Sequence, residues 1–274
     1  MSSERASRPL RPGGFARTLT VGSNVMNTND FFEARLVERT NFSDDLALFR
    51  FRSETRLSFV PGQYATIGIQ RQDKLVQRPY SIASSPLEPF LEFFIELVPD
   101  GELTPLLWEL TTDDKVFIRN RIVGRFTLDE SSGVNKHLML ATVTGVAPFI
   151  SMARTQRINL ERGNPQPHQL AIVHAGSHSS EFGTYRDELT ELSRGGWLSY
   201  VPTVSRPWTD ADWKGETGRV EDVIRKYSDE LGYDSSNAIA YACGHPQMIE
   251  NAKGILTRRR FAKERLREEK YFVG

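Results

Sequence analysis

The chain has a single cysteine, Cys243, in 274 residues. One thiol cannot close an internal disulfide, nor supply the several thiolates of an iron–sulfur cluster or structural zinc site. If the protein moves electrons, any carrier beyond a bound organic cofactor is a separate molecule. A surplus of either charge is also missing: 35 Lys and Arg balance 35 Asp and Glu, for a formal net charge of zero. That argues against a nucleic-acid binder acting through a global basic field, and leaves local basic patches open. No run approaches the roughly 18 apolar residues of a membrane-crossing helix. The first 29 residues hold Arg5, Arg8, Arg11 and Arg17 among Ser, Pro and Gly, without the apolar stretch of a secretory signal. They read as a loosely docked N-terminal extension rather than a transit peptide, and the expected location is cytoplasmic.

What is present suits a soluble protein of two ordinary domains, with 39% hydrophobic and 26% charged residues. Segments 31–40, 46–52, 63–69, 91–98 and 115–121 are rich in β-branched and aromatic residues and are separated by turn formers such as Pro61-Gly62. With one helical stretch at 105–110, they predict an N-terminal antiparallel β-barrel over 30–130. After the acidic, Ser/Gly-rich turn 129–135 the period changes. Apolar runs at 138–143, 169–175, 197–204 and 238–243 alternate with helical stretches at 147–160, 181–193, 220–230 and 246–260. Such alternation predicts an α/β doubly wound parallel sheet over 136–274.

Arg78-Pro79-Tyr80-Ser81 places a forked guanidinium, an aromatic ring and a hydroxyl on an extended segment. Alternation sets Arg78 and Tyr80 on one side and Ser81 on the other. These groups suit a phosphate, a stacked ring and a ring heteroatom; an ordinary strand end with a surface Arg reads equally well. Downstream, Gly101-Glu102-Leu103-Thr104-Pro105 reads as a turn into a helix, with Thr104 as N-cap and Pro105 at the first helical position. That is either a plain capped helix or a seat for a diphosphate.

In the second half, Thr144-Gly145-Val146-Ala147-Pro148 joins the first strand to its helix, where backbone amides can approach a diphosphate. Ser205-Arg206 and Gly218-Arg219 offer guanidinium groups that suit a ribose phosphate and also read as solvated surface charge. Cys243-Gly244-His245-Pro246 ends the last apolar run, and Tyr271-Phe272 places two aromatics at a chain end, where polar residues are usual.

Taken in order, Pro61-Gly62-Gln63-Tyr64, Arg-x-Tyr-Ser at 78–81, Gly-x-Leu-Thr at 101–104 and Gly124-Arg125-Phe126 resemble the flavin barrel of the ferredoxin–NADP(+) reductase family, particularly its bacterial, FAD-containing branch. The Cys-Gly-x-Pro-x-Met segment 243–248 resembles the family's nicotinamide side. Val143 stands where the family usually carries glycine, and Ser177 where many relatives have Arg.

The resemblance implies FAD and NADP(H) as cofactors. It assigns FAD to Arg78, Pro79, Tyr80, Ser81, Gly101, Glu102, Leu103, Thr104, Thr144 and Phe272. It assigns NADP to Thr144, Gly145, Val146, Pro148, Ser177, Ser205, Arg206, Arg219, Cys243 and Gly244. Ser81, Cys243 and Tyr271 would serve the hydride step between nicotinamide and flavin, with Tyr271 over the flavin ring and Phe272 against its adenine. One-electron delivery to a separate acidic carrier, ferredoxin or flavodoxin, would follow. Basic residues Lys115, Arg119, Arg121 and Arg125, with Lys253 and 258–260, would steer that carrier in. No nucleic acid, membrane or metal is expected, and a monomer is the default. A flavin or oxygenase-component reductase using NAD(P)H is the nearest alternative, and a non-catalytic flavin-binding sensor the next.

Overall fold

A computed structural model describes residues 30–55, 57–164 and 168–271. Six strands form the first half: β1 (Phe31–Asn41), β2 (Leu46–Arg52), β3 (Tyr64–Arg71), β4 (Lys74–Ser81), β5 (Leu91–Glu96) and β6 (Lys115–Arg119). All their pairings are antiparallel, in the order β4-β3-β6-β1-β2-β5. The sheet curls until its edges meet, where Ala83 N, just beyond β4, donates to Glu92 O at 2.8 Å. Alternation turns Leu36, Phe49, Phe51, Ile67, Phe93 and Ile118 onto one apolar interior. Helix α1 (Thr104–Glu109) adds Leu106 and Leu107 to it.

Thr104 is not the N-cap that its sequence position suggests. Leu103 holds that place without a side-chain bond. The Thr104 hydroxyl instead turns back, accepting from Val98 N at 2.9 Å and donating to Val98 O at 3.0 Å. It closes the 98–104 turn, and Pro105 falls one position later than expected.

In the second half β7 (Lys136–Thr142), β8 (Gln169–Gly176), β9 (Leu198–Val204), β10 (Glu216–Thr217), β11 (Ala238–Gly244) and β12 (Leu266–Lys270) form a parallel sheet in the order β10-β9-β8-β7-β11-β12. Helices α2 (Ala147–Glu161), α3 (Tyr185–Ser193), α4 (Val220–Glu230) and α5 (Pro246–Arg258) connect the strands. The helix expected at 181–193 is split into a 3-10 turn at Ser179–Phe182 and α3. The chain winds outward from β7 to β10, then returns to lay β11 on the other side of β7. A crevice therefore opens at the carboxyl ends of β7 and β11, where parallel sheets of this type hold ligands.

The two halves share one apolar core. Leu46, Leu48 and Phe94 of the barrel pack in the same cluster as Phe149, Ile150 and Tyr185 behind the parallel sheet. Phe94 meets Tyr185 edge-on with centroids 5.1 Å apart, and Phe126 meets Tyr241 at 5.6 Å.

Candidate active site

At the end of β4, Arg78 is exposed, Tyr80 half-buried and Ser81 buried, as alternation predicts. Arg78 Nη2 donates to Glu102 Oε2 at 2.7 Å, and Lys74 Nζ donates to Glu102 Oε1 at 2.9 Å. Lys74 and Arg78 lie four apart on one strand, so both reach the same side. Their hydrogen bonds, Lys74's first, hold the Glu102 carboxyl below its ordinary range. Two cations thus converge on one carboxylate beside the turn that Thr104 closes.

At the carboxyl end of β7, a 3-10 turn covers Val143–Val146. Val143 sits at φ +42°, a left-handed backbone that disfavours a β-branched residue. This is the position where glycine was expected, and the geometry explains that expectation. The strained peptide is pinned by His174, whose Nε2 donates to Val143 O at 2.8 Å. Burial, partly offset by that bond, lowers the His174 pKa to about 4, so the ring is neutral and its Nδ1 accepts from Tyr200 OH at 3.2 Å.

The turn lies hard against the end of β11. A Cβ on Gly145 would collide with the Cys243 carbonyl, and one on Gly244, at φ +122°, with the Thr142 hydroxyl. Both glycines are required for this close approach.

Ser81 Oγ donates to Glu269 Oε1 at 2.5 Å, which joins the barrel to β12. Cys243 is fully buried; burial, then the nearby Glu269 carboxyl, pushes its thiol pKa up. Glu269 is itself pushed up by burial, and the Ser81 hydrogen bond opposes this only in part. Tyr271 N donates to Gly244 O at 3.1 Å, and its hydroxyl donates to Thr144 O at 3.1 Å. The ring therefore stands in the β7/β11 crevice. Burial first, then Cys243 and Glu269, raise its phenol pKa. Beside this group a cavity of about 490 Å³ is lined by Tyr64, Arg125, Phe126, Arg267, Glu268 and Glu269.

Glu269 was not foreseen. The segment 263–270 reads as a charged stretch, whereas Leu266–Lys270 within it is an edge strand paired with β11. The available signal was alternation: Glu269 and Tyr271 are two apart and turn to the same side of an extended chain.

The remaining predicted residues lie farther along the sheet edge. Arg206 N donates to Ser177 O at 3.1 Å, and Ser205 N to Gly176 O at 2.9 Å, which brings the ends of β8 and β9 together. The Ser177 amide is taken by Glu181 Oε2 at 2.7 Å. Arg206 and Arg219 are exposed, and neither guanidinium has an acidic partner among the described residues. Leu103 and Val146 turn their side chains into the core and offer only backbone to a ligand. Gly101 lies in the 98–104 turn with its amide donating to Val98 O at 2.9 Å, Pro79 is exposed on β4, Pro148 is buried in the first turn of α2, and Phe272 lies outside the described residues.

The donor set fits the two nucleotides. Lys74 and Arg78 already bind one anion, Tyr80 presents a ring beside them, and Arg206 and Arg219 are cations in want of another. No described group of His, Cys, Asp and Glu could hold a metal ion, and no described helix is long and apolar enough to cross a membrane.

Comparison with known proteins agrees. Residues 33–127 match the family described as oxidoreductase FAD-binding domain, and residues 139–254 the oxidoreductase NAD-binding domain. The ferredoxin--NADP reductase of Pseudomonas aeruginosa is 30% identical over 246 residues, covering 83% of this chain and 90% of that protein. The flavodoxin/ferredoxin--NADP reductase of Escherichia coli is 29% identical over 232 residues, 82% of this chain and 89% of that one. Among solved structures, a ferredoxin NADP+ reductase from Neisseria gonorrhoeae with bound FAD and NADP superposes with a TM-score of 0.77 at 21% identity, over 89% of this chain and 99% of that one. Flavohemoglobin from Malassezia yamatoensis shares the fold as well, with a TM-score of 0.72 at 19% identity over 89% of this chain and 60% of that one. Both halves are thus matched in sequence as well as in shape: the chain is an FAD- and NAD(P)-binding oxidoreductase and belongs to the ferredoxin–NADP reductase family.

Proposed function

We propose that this protein takes electrons from NADPH through FAD and passes them to a separate acidic carrier, ferredoxin or flavodoxin. The observation that carries this reading is the meeting of Ser81, Cys243, Glu269 and Tyr271 where the barrel and the parallel sheet join. In this proposal the barrel half, 30–130, holds the flavin and the half from 136 onward holds the dinucleotide. When bound, the two cofactors supply the hydride and electron chemistry, as is general for such enzymes.

The protein's own groups bind, orient and exclude water. Arg78 holds the flavin diphosphate beside the amides of 101–104, Tyr80 presents its ring, and Ser81 presents its hydroxyl. Thr144 to Pro148 and Gly244 shape the crevice for the nicotinamide, with the Cys243 thiol, kept protonated by burial, as its wall. Glu269 holds a proton readily because burial raises its pKa, and it lies between Ser81 Oγ and a cavity of about 490 Å³. It is placed to exchange that proton with solvent while the site stays closed. Tyr271 occupies the crevice and must swing away before a nicotinamide can enter.

Preference for NADPH rests on Arg206 and Arg219, which have no acidic partner among the described residues. One observation favours the NADH-using alternative: the Glu181 carboxylate sits on the Ser177 amide, near the expected phosphate. Anaerobic titration with NADPH and with NADH, following the visible flavin band, separates them. Bleaching at low NADPH and only at much higher NADH is the expected result. Equal response would give the cofactor choice to Glu181, and absence of a flavin band would overturn the proposal. The carrier is then tested by salt dependence: reduction of an added ferredoxin should slow as salt rises.

A further inference from the structure

Strand β12 is an edge of the parallel sheet, paired with β11 alone, and it leads directly into Tyr271. Alternation divides its side chains between two faces. Arg267, Glu269 and Tyr271 meet Asp129 Oδ2, Ser81 Oγ and Thr144 O at 2.6, 2.5 and 3.1 Å. Leu266, Glu268 and Lys270 turn the other way, towards α5. Leu266 packs against the apolar cluster that holds Ile249, Ala252 and Leu256 of that helix. Beyond it, Lys253 Nζ lies 2.6 Å from Glu268 Oε2, and Lys270 Nζ donates to Glu250 Oε1 at 2.6 Å. Glu250 and Lys253 pair in turn at 3.6 Å, and Lys270 lies 3.7 Å from Glu268. The four charges close a neutral ring between strand and helix.

Helix α5 is itself fixed to the crevice. It starts at Pro246, just behind Gly244, and His245 N donates to Thr142 Oγ1 at 2.9 Å. The ring of charges therefore ties the residue before Tyr271 to a wall of the crevice that the Tyr271 side chain fills. Lys270 stands opposite Gly244 in the β11–β12 ladder, and Tyr271 N bonds to Gly244 O. Withdrawing Tyr271 strips that last bond first and pulls on Lys270 next. We propose that Lys270 and Glu250 are positioning residues that set how readily Tyr271 yields the crevice to a nicotinamide. This rests on the function proposed above, in which the two rings compete for one place. Breaking the pair frees the strand end, lowers the cost of displacing Tyr271 and so tightens nucleotide binding. The two side chains are 43% and 51% exposed, which limits the effect to about two- to fivefold.

The test is a double-mutant cycle on FAD-loaded protein, with NADP+ titrated against the flavin difference spectrum. Lys270→Met and Glu250→Gln should each tighten NADP+ by about two- to fivefold, and the double variant should gain no more than either alone. Lys270→Arg, which keeps the charge, should bind as wild type does. A direct field on the anionic nucleotide acts otherwise: it tightens Glu250→Gln, weakens Lys270→Met and adds in the double variant. Opposite signs, or wild-type affinity in both single variants, therefore overturn the clamp and leave the proposed function standing. Amide exchange of the nucleotide-free protein gives a second reading. Residues 266–271 should exchange faster in Lys270→Met and Glu250→Gln, but not in Lys270→Arg. Wild-type protection in the first two variants also overturns the clamp. A wild-type flavin band that neither NADP+ nor NADPH alters sinks the proposed function, and the clamp with it.

Discussion

Glu102 shows how one side chain can work against the site it belongs to. Its carboxylate engages Lys74 and Arg78, and Arg78 is the cation proposed above to hold the flavin diphosphate. All three side chains are half exposed or more, so the pairing is weak, but on the proposed function it competes directly with the ligand. Glu102→Gln should therefore tighten FAD binding to the apoprotein by about two- to fivefold, the range an exposed ion pair spans, with the gain shrinking as salt rises. Quenching of flavin fluorescence on titration reads this directly, and unchanged affinity would mean that Glu102 simply turns aside. From the sequence, Glu102 was legible only as a position in a motif. Its sign, opposite to what a phosphate wants, became meaningful once β4 placed Lys74 beside Arg78. The same limit hid Glu269: residue types are visible in a sequence, but pairings across 188 positions are not.

At the scale of elements, long segments with clear periodicity were legible and short or charged edges were not. Strand β2 and helix α4 fall where the pattern puts them. Strand β4 was read only as an extended segment because Pro79 and its many polar residues weaken the strand signal, yet β4 is an edge, where proline is tolerated. Strand β12 is the opposite edge of the other sheet, and its charges, which suit an edge, masked it. The turn after β7 adds a physical dependence that no motif shows. His174 must stay neutral to hold Val143 O while accepting from Tyr200, and His137 is likewise neutral, its pKa lowered to about 4 by burial and by His168, 2.9 Å away. An unfolded chain protonates both near 6.5. It then binds more protons than the folded chain, so stability falls as pH drops from about 6.5 towards 4, by about 1.4 kcal/mol per pH unit for each histidine. The half-buried carboxyls of Glu88 and Glu269, raised chiefly by desolvation, oppose this in part. Urea unfolding from pH 7 to 4.5 should show the decline, and His137→Leu should make it shallower by roughly one proton's worth. A wild-type slope in that variant would mean that His137 is already charged in the fold.

The whole molecule is organised around a fixed joint between its halves, and a hydride transfer between two rings requires such a joint. Beyond the shared apolar core, the joint contains a buried charge cluster. Glu92 of β5 is fully buried and accepts from Arg50 Nε at 2.6 Å, Arg154 Nη1 at 2.7 Å and Tyr185 OH at 2.8 Å. Arg154 of α2 also forks onto Glu188 of α3 at 2.6 and 2.7 Å, and its paired carboxylates outweigh burial to keep the guanidinium firmly protonated. Removing Arg154 leaves Glu92 in the joint with half its charge partners, and breaking a buried pair in this way costs about 3–5 kcal/mol. Glu188 suffers less, since its side chain is 27% exposed and can turn to water. Arg154→Met should thus lose most of that stability in urea unfolding. Glu92→Leu combined with Arg154→Met removes both buried charges, frees Arg50 to keep Glu38, and should lose less than the single change. The comparison decides what the cluster does: a double variant milder than the single means that burial of an unmatched carboxylate dominates. A double variant as damaged as the sum of both single changes would mean that the cluster's hydrogen bonds, together with those from Ser151 Oγ to Ser84 O and between Ser85 and Thr155, are what set the two halves in register.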